Sequence, residues 1–171
     1  MGTMLYARGI SFERCFDELN LSNPALVQEI HREYIHAGAE IIETNTFGAN
    51  RFKLAHHGLE SQVREINLRG VKIAREAREI AGEAAFVLGS VGPIGQLLEA
   101  LGEVSYADAR AAFQEQIEAL LEGGAGAAAA AAVVGEGEEA NSDLYASAEY
   151  RRHLAQVHAA RGIAAALTRE S

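Results

Sequence analysis

The sequence predicts an α/β fold assembled from repeated strand–helix units, and three observations carry that expectation. Short apolar stretches alternate with amphipathic ones at a period of roughly 40 residues, the rhythm of βα units that feed a parallel sheet. Ile41 and Ile42 stand side by side, apolar toward both faces, as in a strand covered on two sides. The amphipathic stretches also carry helix start and stop signals, Asn-Pro or Ser ahead and glycine behind. Crossovers between the strands are expected to be right-handed. An open doubly wound sheet and a closed barrel repeat the same unit, so the alternation alone leaves both open.

Taken in chain order, the remnant of a first strand is expected ahead of Cys15. Asn23-Pro24 then opens a helix, because Asn caps free backbone N–H groups and Pro at the first position wastes no donor. Leu26, Ile30, Tyr34 and Ala37 recur at helical spacing, and Gly38 supplies the stop. Ala39 to Thr46 follows as a buried strand. A second helix is expected over roughly Leu59 to Ile80, with Val63, Ile66, Gly70, Ile73, Ala77 and Ile80 on one stripe. Ala85 to Ser90 is the next short strand, leading into the loop Val91-Gly92-Pro93-Ile94-Gly95. Ser105 and Asp108 stand as N-cap and N3 of a third helix, which Gly123-Gly124 stops.

The pattern changes after Gly124. Ala127 to Ala132 are all alanine, good helix formers and poor strand formers, where the βα rhythm calls for a strand. Leu144, Ala148, Leu154, Val157 and Ile163 allow a last helix with a weak stripe. The chain therefore divides into 1–124 and an Ala-rich, divergent or frame-altered tail, 125–171, helical in part.

Composition bounds the function. Hydrophobic residues are 49% and charged residues 23% of the 171, enough for one core. The formal charge of −9, spread along the chain, repels polyanions, so nucleic acid is excluded as a partner. No apolar run is long enough to span a membrane and no signal peptide precedes the fold, which gives a cytoplasmic expectation. Cys15 is the only cysteine, so neither a disulfide within the chain nor a Cys-x-x-Cys metal site is available.

Candidate chemistry gathers at the strand ends. If Ile42 and Thr44 face the helices, alternation turns Ile41, Glu43 and Asn45 inward, with an acid and an amide at the rim. The alternative is that Glu43 and Asn45 begin a polar loop and cap nearby backbone. Gly89 to Pro93 offers backbone N–H groups to an anion, or simply a tight turn. His31 and His36, like His153 and His158, are five apart and do not share a helix face, so the histidines read as solvated or packed rather than as ligands. Cys15 reads as a small half-buried loop residue, although Arg14 beside it would lower its pKa.

Met1 to Leu5, Glu13 to Pro24, Glu43 to Arg51 and Gly89 to Pro93, extended by Glu115-Gln116 and Leu121 to Gly124, occur in the order and spacing of the homocysteine S-methyltransferase family. Cys15 to Asn20 most resembles the barrel domain of bifunctional homocysteine S-methyltransferase/methylenetetrahydrofolate reductases, then cobalamin-dependent methionine synthase. The resemblance implies a partial (β/α)8 TIM barrel, roughly the first three to four βα units with an atypical C-terminal third. It implies methyl transfer to the zinc-activated thiol of homocysteine to give methionine, from a folate, S-methylmethionine, S-adenosylmethionine or betaine type of donor. Substrate binding is expected at Gly2, Thr3, Glu43, Asn45, Ser90 and Glu136.

The family's zinc cysteines come from its sixth and eighth strands, and Cys15 matches none of them, so no metal ligand is assigned and no zinc site is expected. A chain of this length is expected to be an incomplete barrel, inactive alone; the alternative is a non-catalytic α/β module that has lost the chemistry. An open sheet edge and uncovered inward residues such as Ile41 and Val87 are expected to promote self-association.

Overall fold

The computed structural model describes residues 1–125. Its elements run α1 (Gly2–Ala7), α2 (Leu19–Ser22), α3 (Pro24–His36), β1 (Ile41–Glu43), α4 (Arg51–Ala55), a 3-10 turn (Glu60–Gln62), α5 (Val63–Ala81), β2 (Phe86–Leu88) and α6 (Tyr106–Glu122). β1 and β2 pair in parallel, Ile41 opposite Phe86, Ile42 opposite Val87 and Glu43 opposite Leu88. The connection between them carries α5, so β1–α5–β2–α6 is the alternation read from the sequence. Among the described residues no helix is long and apolar enough to cross a membrane.

Helix boundaries follow local chemistry. The Asn23 side chain accepts from the Leu26 N–H at 3.4 Å ahead of Pro24, and Ser105 Oγ accepts from the Asp108 N–H at 3.0 Å. α5 ends on Gly82 at φ +70°, a left-handed position that glycine occupies without strain. α4, which sequence periodicity did not reveal, is capped by Asn50 accepting from the Lys53 N–H at 3.1 Å.

Four details differ from expectation. Met1 to Leu5 is not strand but the entry into α1: Met1, Met4 and Leu5 stand at i, i+3 and i+4, and Leu5 is buried with Leu19, Val27, Ile30 and Ile73. The buried face of α3 is Val27, Ile30, His31 and Ile35, because that face meets α5, while Tyr34 is exposed. Ile80 likewise leaves the buried stripe of α5. Among the described residues the strands are covered on one face only: Ile42 and Val87 pack with Ile35, Ala74 and Ala85, whereas Ile41 and Phe86 are 55% and 72% exposed. Register explains why Phe86, not Val87, joins Ile41 on the open face, since paired residues share a side.

The helix layer holds the strand ends from behind. α5 packs against both α3 and α6. Arg64 of α5 forms a two-pronged pair with Glu122 of α6, and Arg51 of α4 does the same with Glu115 at 2.7 and 3.1 Å. Both pairs are exposed and fix orientation more than they stabilise. Gly89 is needed where β2 meets α6, because a Cβ there would lie 2.9 Å from Leu120 Cδ1.

Candidate functional site

The C-terminal ends of β1 and β2 release two loops side by side. Glu43 closes β1 and Ser90 lies two residues beyond β2, and the Ser90 hydroxyl donates to Glu43 Oε2 at 3.0 Å. Ser90 is buried and Glu43 exposed, so a carboxylate oxygen reaches solvent from an anchored base. The arrangement suits a small cationic donor group, which a carboxylate and a neighbouring hydroxyl oxygen can both accept from.

Asn45 turns the other way. It is 6% exposed, and its Nδ2 donates to Phe16 O at 2.7 Å and Asn20 Oδ1 at 3.2 Å. Its donors are therefore committed to the interior. Three buried carboxamides from three helices pin the same loop by its carbonyls: Asn20 to Asn45 O at 2.8 Å, Gln116 to Thr46 O at 2.7 Å, and Asn67 to Ala49 O at 2.8 Å. Gly70 on α5 is required beneath it, since a Cβ would approach Thr46 Cγ2 to 2.6 Å. These amides sit on largely apolar helix faces, where the sequence reads as core. Asn20 and Gln116 fall within the quoted motifs, whereas nothing in the sequence signalled Asn67.

Gly2 and Thr3 lie in the first turn of α1. Burial pushes the Met1 amino group below its ordinary value, and the Glu43 carboxylate partly offsets this, so the start of α1 lies within electrostatic reach of Glu43. A Cβ added at Gly2 would make only ordinary contact with the Phe16 ring, at 3.5 Å, so packing there does not demand glycine. Glu136 lies outside the described residues. The structure thus joins Glu43 to Ser90, and contrary to the alternation it turns Asn45 away from that face, toward Phe16 and Asn20.

Asp17 was not anticipated. Its Oδ1 accepts the Gly48 N–H at 2.9 Å, and Gly48 must lack a side chain because a Cβ would sit 2.6 Å from Asp17 Oδ2. Burial pushes its carboxyl up to about 6, offset in part by the Gly48 N–H and by the charges of Lys53 and His57. Lys53 extends over the exposed Phe47 ring, its ammonium 5.0 Å from the centroid.

Cys15 is half-buried. Its thiol is pushed up by burial and then by Asp17, so the expected lowering by Arg14 is overturned; Arg14 is occupied by Glu18 at 3.0 Å. A zinc ion of the kind the resemblance implies needs three protein ligands. Among the described residues no group of three or more His, Cys, Asp and Glu side chains could hold a metal ion, so these residues do not fit that group.

Comparison with known proteins agrees with this arrangement. The family model described as homocysteine S-methyltransferase matches residues 1–158, running on past Gly124. The methionine synthases of Mycobacterium tuberculosis and Mycobacterium leprae are 38% identical over 136 and 118 residues, 74% and 67% of this chain but 11% and 10% of their own length. The crystal structure of the homocysteine methyltransferase MmuM from Escherichia coli in its metallated form superposes with a TM-score of 0.63 at 31% identity, covering 75% of this chain and 50% of that one. The oxidised form gives 0.64 at 30% identity. The chain therefore spans about a tenth of the methionine synthases and about half of MmuM.

Proposed function

Because the chain belongs to the homocysteine S-methyltransferase family, we propose that it supplies the amino-acid-binding rim of a homocysteine methyltransferase barrel. Its residues would act in methyl transfer to the homocysteine thiol, yielding methionine. Glu43 accepts the substrate ammonium group, and Ser90 holds the carboxylate in place and offers its own oxygen beside it. Gly2 and Thr3 border the same rim, and Glu136 and Asn45 belong to the proposal as a further ligand and a support. A cytoplasmic setting is part of the same reading. The methyl donor is of folate, S-methylmethionine, S-adenosylmethionine or betaine type.

The observation that carries this reading is the Ser90–Glu43 hydrogen bond at the ends of two parallel strands. Strand ends are where a parallel barrel builds its site. The uncovered Ile41 and Phe86 fit a partial barrel, since further barrel strands would cover that face. Thiol activation is not assigned to the described residues, because they hold no zinc-binding set.

That same lack supports a second reading, a non-catalytic α/β module. Calorimetric titration of the full chain with reduced homocysteine tests the first. Glu43→Gln is expected to weaken binding by about 10- to 100-fold, the range for losing a charged hydrogen bond. Equal affinity in the variant would remove Glu43 from the site. Homocysteine binding then separates the two readings, since neither assigns a zinc-binding set to the described residues: the rim binds homocysteine, and a module that has lost the site leaves it unbound.

A further inference from the structure

We propose that Thr44 and Thr46 are positioning residues that aim the Ser90 hydroxyl at Glu43; the proposal rests on the reading of that pair as the substrate-binding rim. Both threonines are buried, at 3% and 0% exposure, and both reach Ser90 from the adjacent strand end. The Ser90 N–H donates to Thr44 Oγ1 at 2.9 Å, and the Thr46 hydroxyl donates to Ser90 O at 2.8 Å.

Proton counting fixes the third bond. A carbonyl brings no proton, so the single Thr46 proton is committed to Ser90 O. The 2.6 Å contact between the two hydroxyls must then have Thr44 donating and Thr46 accepting. The result is a closed ring that runs from the Ser90 N–H through Thr44 and Thr46 to the Ser90 carbonyl, with each bond polarising the next.

The ring grips the backbone of Ser90 at both its donor and its acceptor, which fixes the direction of its Cα–Cβ bond. Its hydroxyl then meets Glu43 Oε2 at 3.0 Å. Thr46 is itself immobile, since Gln116 Nε2 donates to its carbonyl at 2.7 Å and Gly70 leaves its methyl no slack. Thr44 continues the sheet ladder, its N–H donating to Leu88 O at 2.9 Å. Two positions thus carry the orientation from the helix layer to the rim without touching substrate.

Isotope-labelled full chain provides the test, read as the Ser90 Hα–Hβ couplings, which report its side-chain rotamer, and as homocysteine affinity. Wild type, Thr44→Ser and Thr46→Ser keep the hydroxyls, so a single rotamer and affinities within about twofold are expected. Thr44→Val and Thr46→Val should average the rotamer and weaken binding by about tenfold. A folded Thr44→Val with an unchanged Ser90 rotamer would overturn the proposal, as would equal losses in Ser and Val variants. Should the Val variants fail to fold, hydrogen exchange at the wild-type Ser90 amide decides: slow exchange supports the ring and exchange at the rate of exposed loops contradicts it. If wild type binds no homocysteine, the substrate reading falls, while the rotamer result still decides the positioning role.

Discussion

His31 lies on the buried face of α3 at 1% exposure, and its Nε2 has no hydrogen-bond partner among the described residues. Burial, helped by the nearby Met1 ammonium, pushes its imidazole down to about 4 from 6.5. The neutral form is the one that folds, so its contribution is present above pH 6.5 and is lost as pH falls through 4. Asp17 has the opposite sign, because its carboxyl rises from 3.8 to about 6 and its contribution is lost as pH rises through 6. Each is on the order of 3 kcal/mol, so they oppose one another across the same window. Urea midpoints between pH 4 and 7 should therefore slope less in wild type than in either variant. His31→Leu should become more stable toward pH 4 and Asp17→Asn less stable; variants that both follow the wild-type profile would show that neither group is buried as described. Of these two, only His31 carried an expectation, as solvated or packed rather than ligating, and it is packed. Asp17 looks like a loop acid until Gly48 is seen to close on it, a contact 31 residues away in sequence.

At the level of elements, local signals were the legible ones. The Asn23 and Ser105 caps, the Gly38 and Gly123 stops and the α5 stripe are all set by residues within a turn or two of each other. The Asn23 cap yields a prediction: Asn23→Ala should lower stability by about 1 kcal/mol in thermal or urea unfolding, and Asn23→Asp should be nearly neutral. Equal losses would mean that Asn23 acts through something other than its side-chain oxygen. What alternation could not give was register. Ile41 and Val87 were expected together on the open face, yet cross-strand pairing sets Phe86 beside Ile41 and turns Val87 to the helices. The entry helix α1 was missed for a similar reason, since five residues admit both a period of 2 and one of 3.6. Alternation along β1 put Glu43 on the open face with Ile41, as the structure does, but put Asn45 there too, which the structure buries; the amides and threonines beneath were not legible, because their partners are backbone atoms of distant segments.

For the whole molecule, the described residues form a helix layer behind two strands whose other face is uncovered. Ile41 and Phe86 are apolar and adjacent there, so self-association is expected, with sedimentation coefficients that rise with protein concentration. Ile41→Lys with Phe86→Lys should return the chain toward monomer, and a wild type that is monomeric at every concentration would mean the face is covered. Neither outcome bears on the rim, which lies at the strand ends. The central claim is that Glu43 and Ser90 receive the amino-acid end of homocysteine, and amide chemical-shift mapping of the full chain with reduced homocysteine tests it most directly. The account predicts saturable shifts at Glu43, Thr44 and Ser90, with little change along the exposed face of α3; shifts centred elsewhere, or none at saturating ligand, would contradict it.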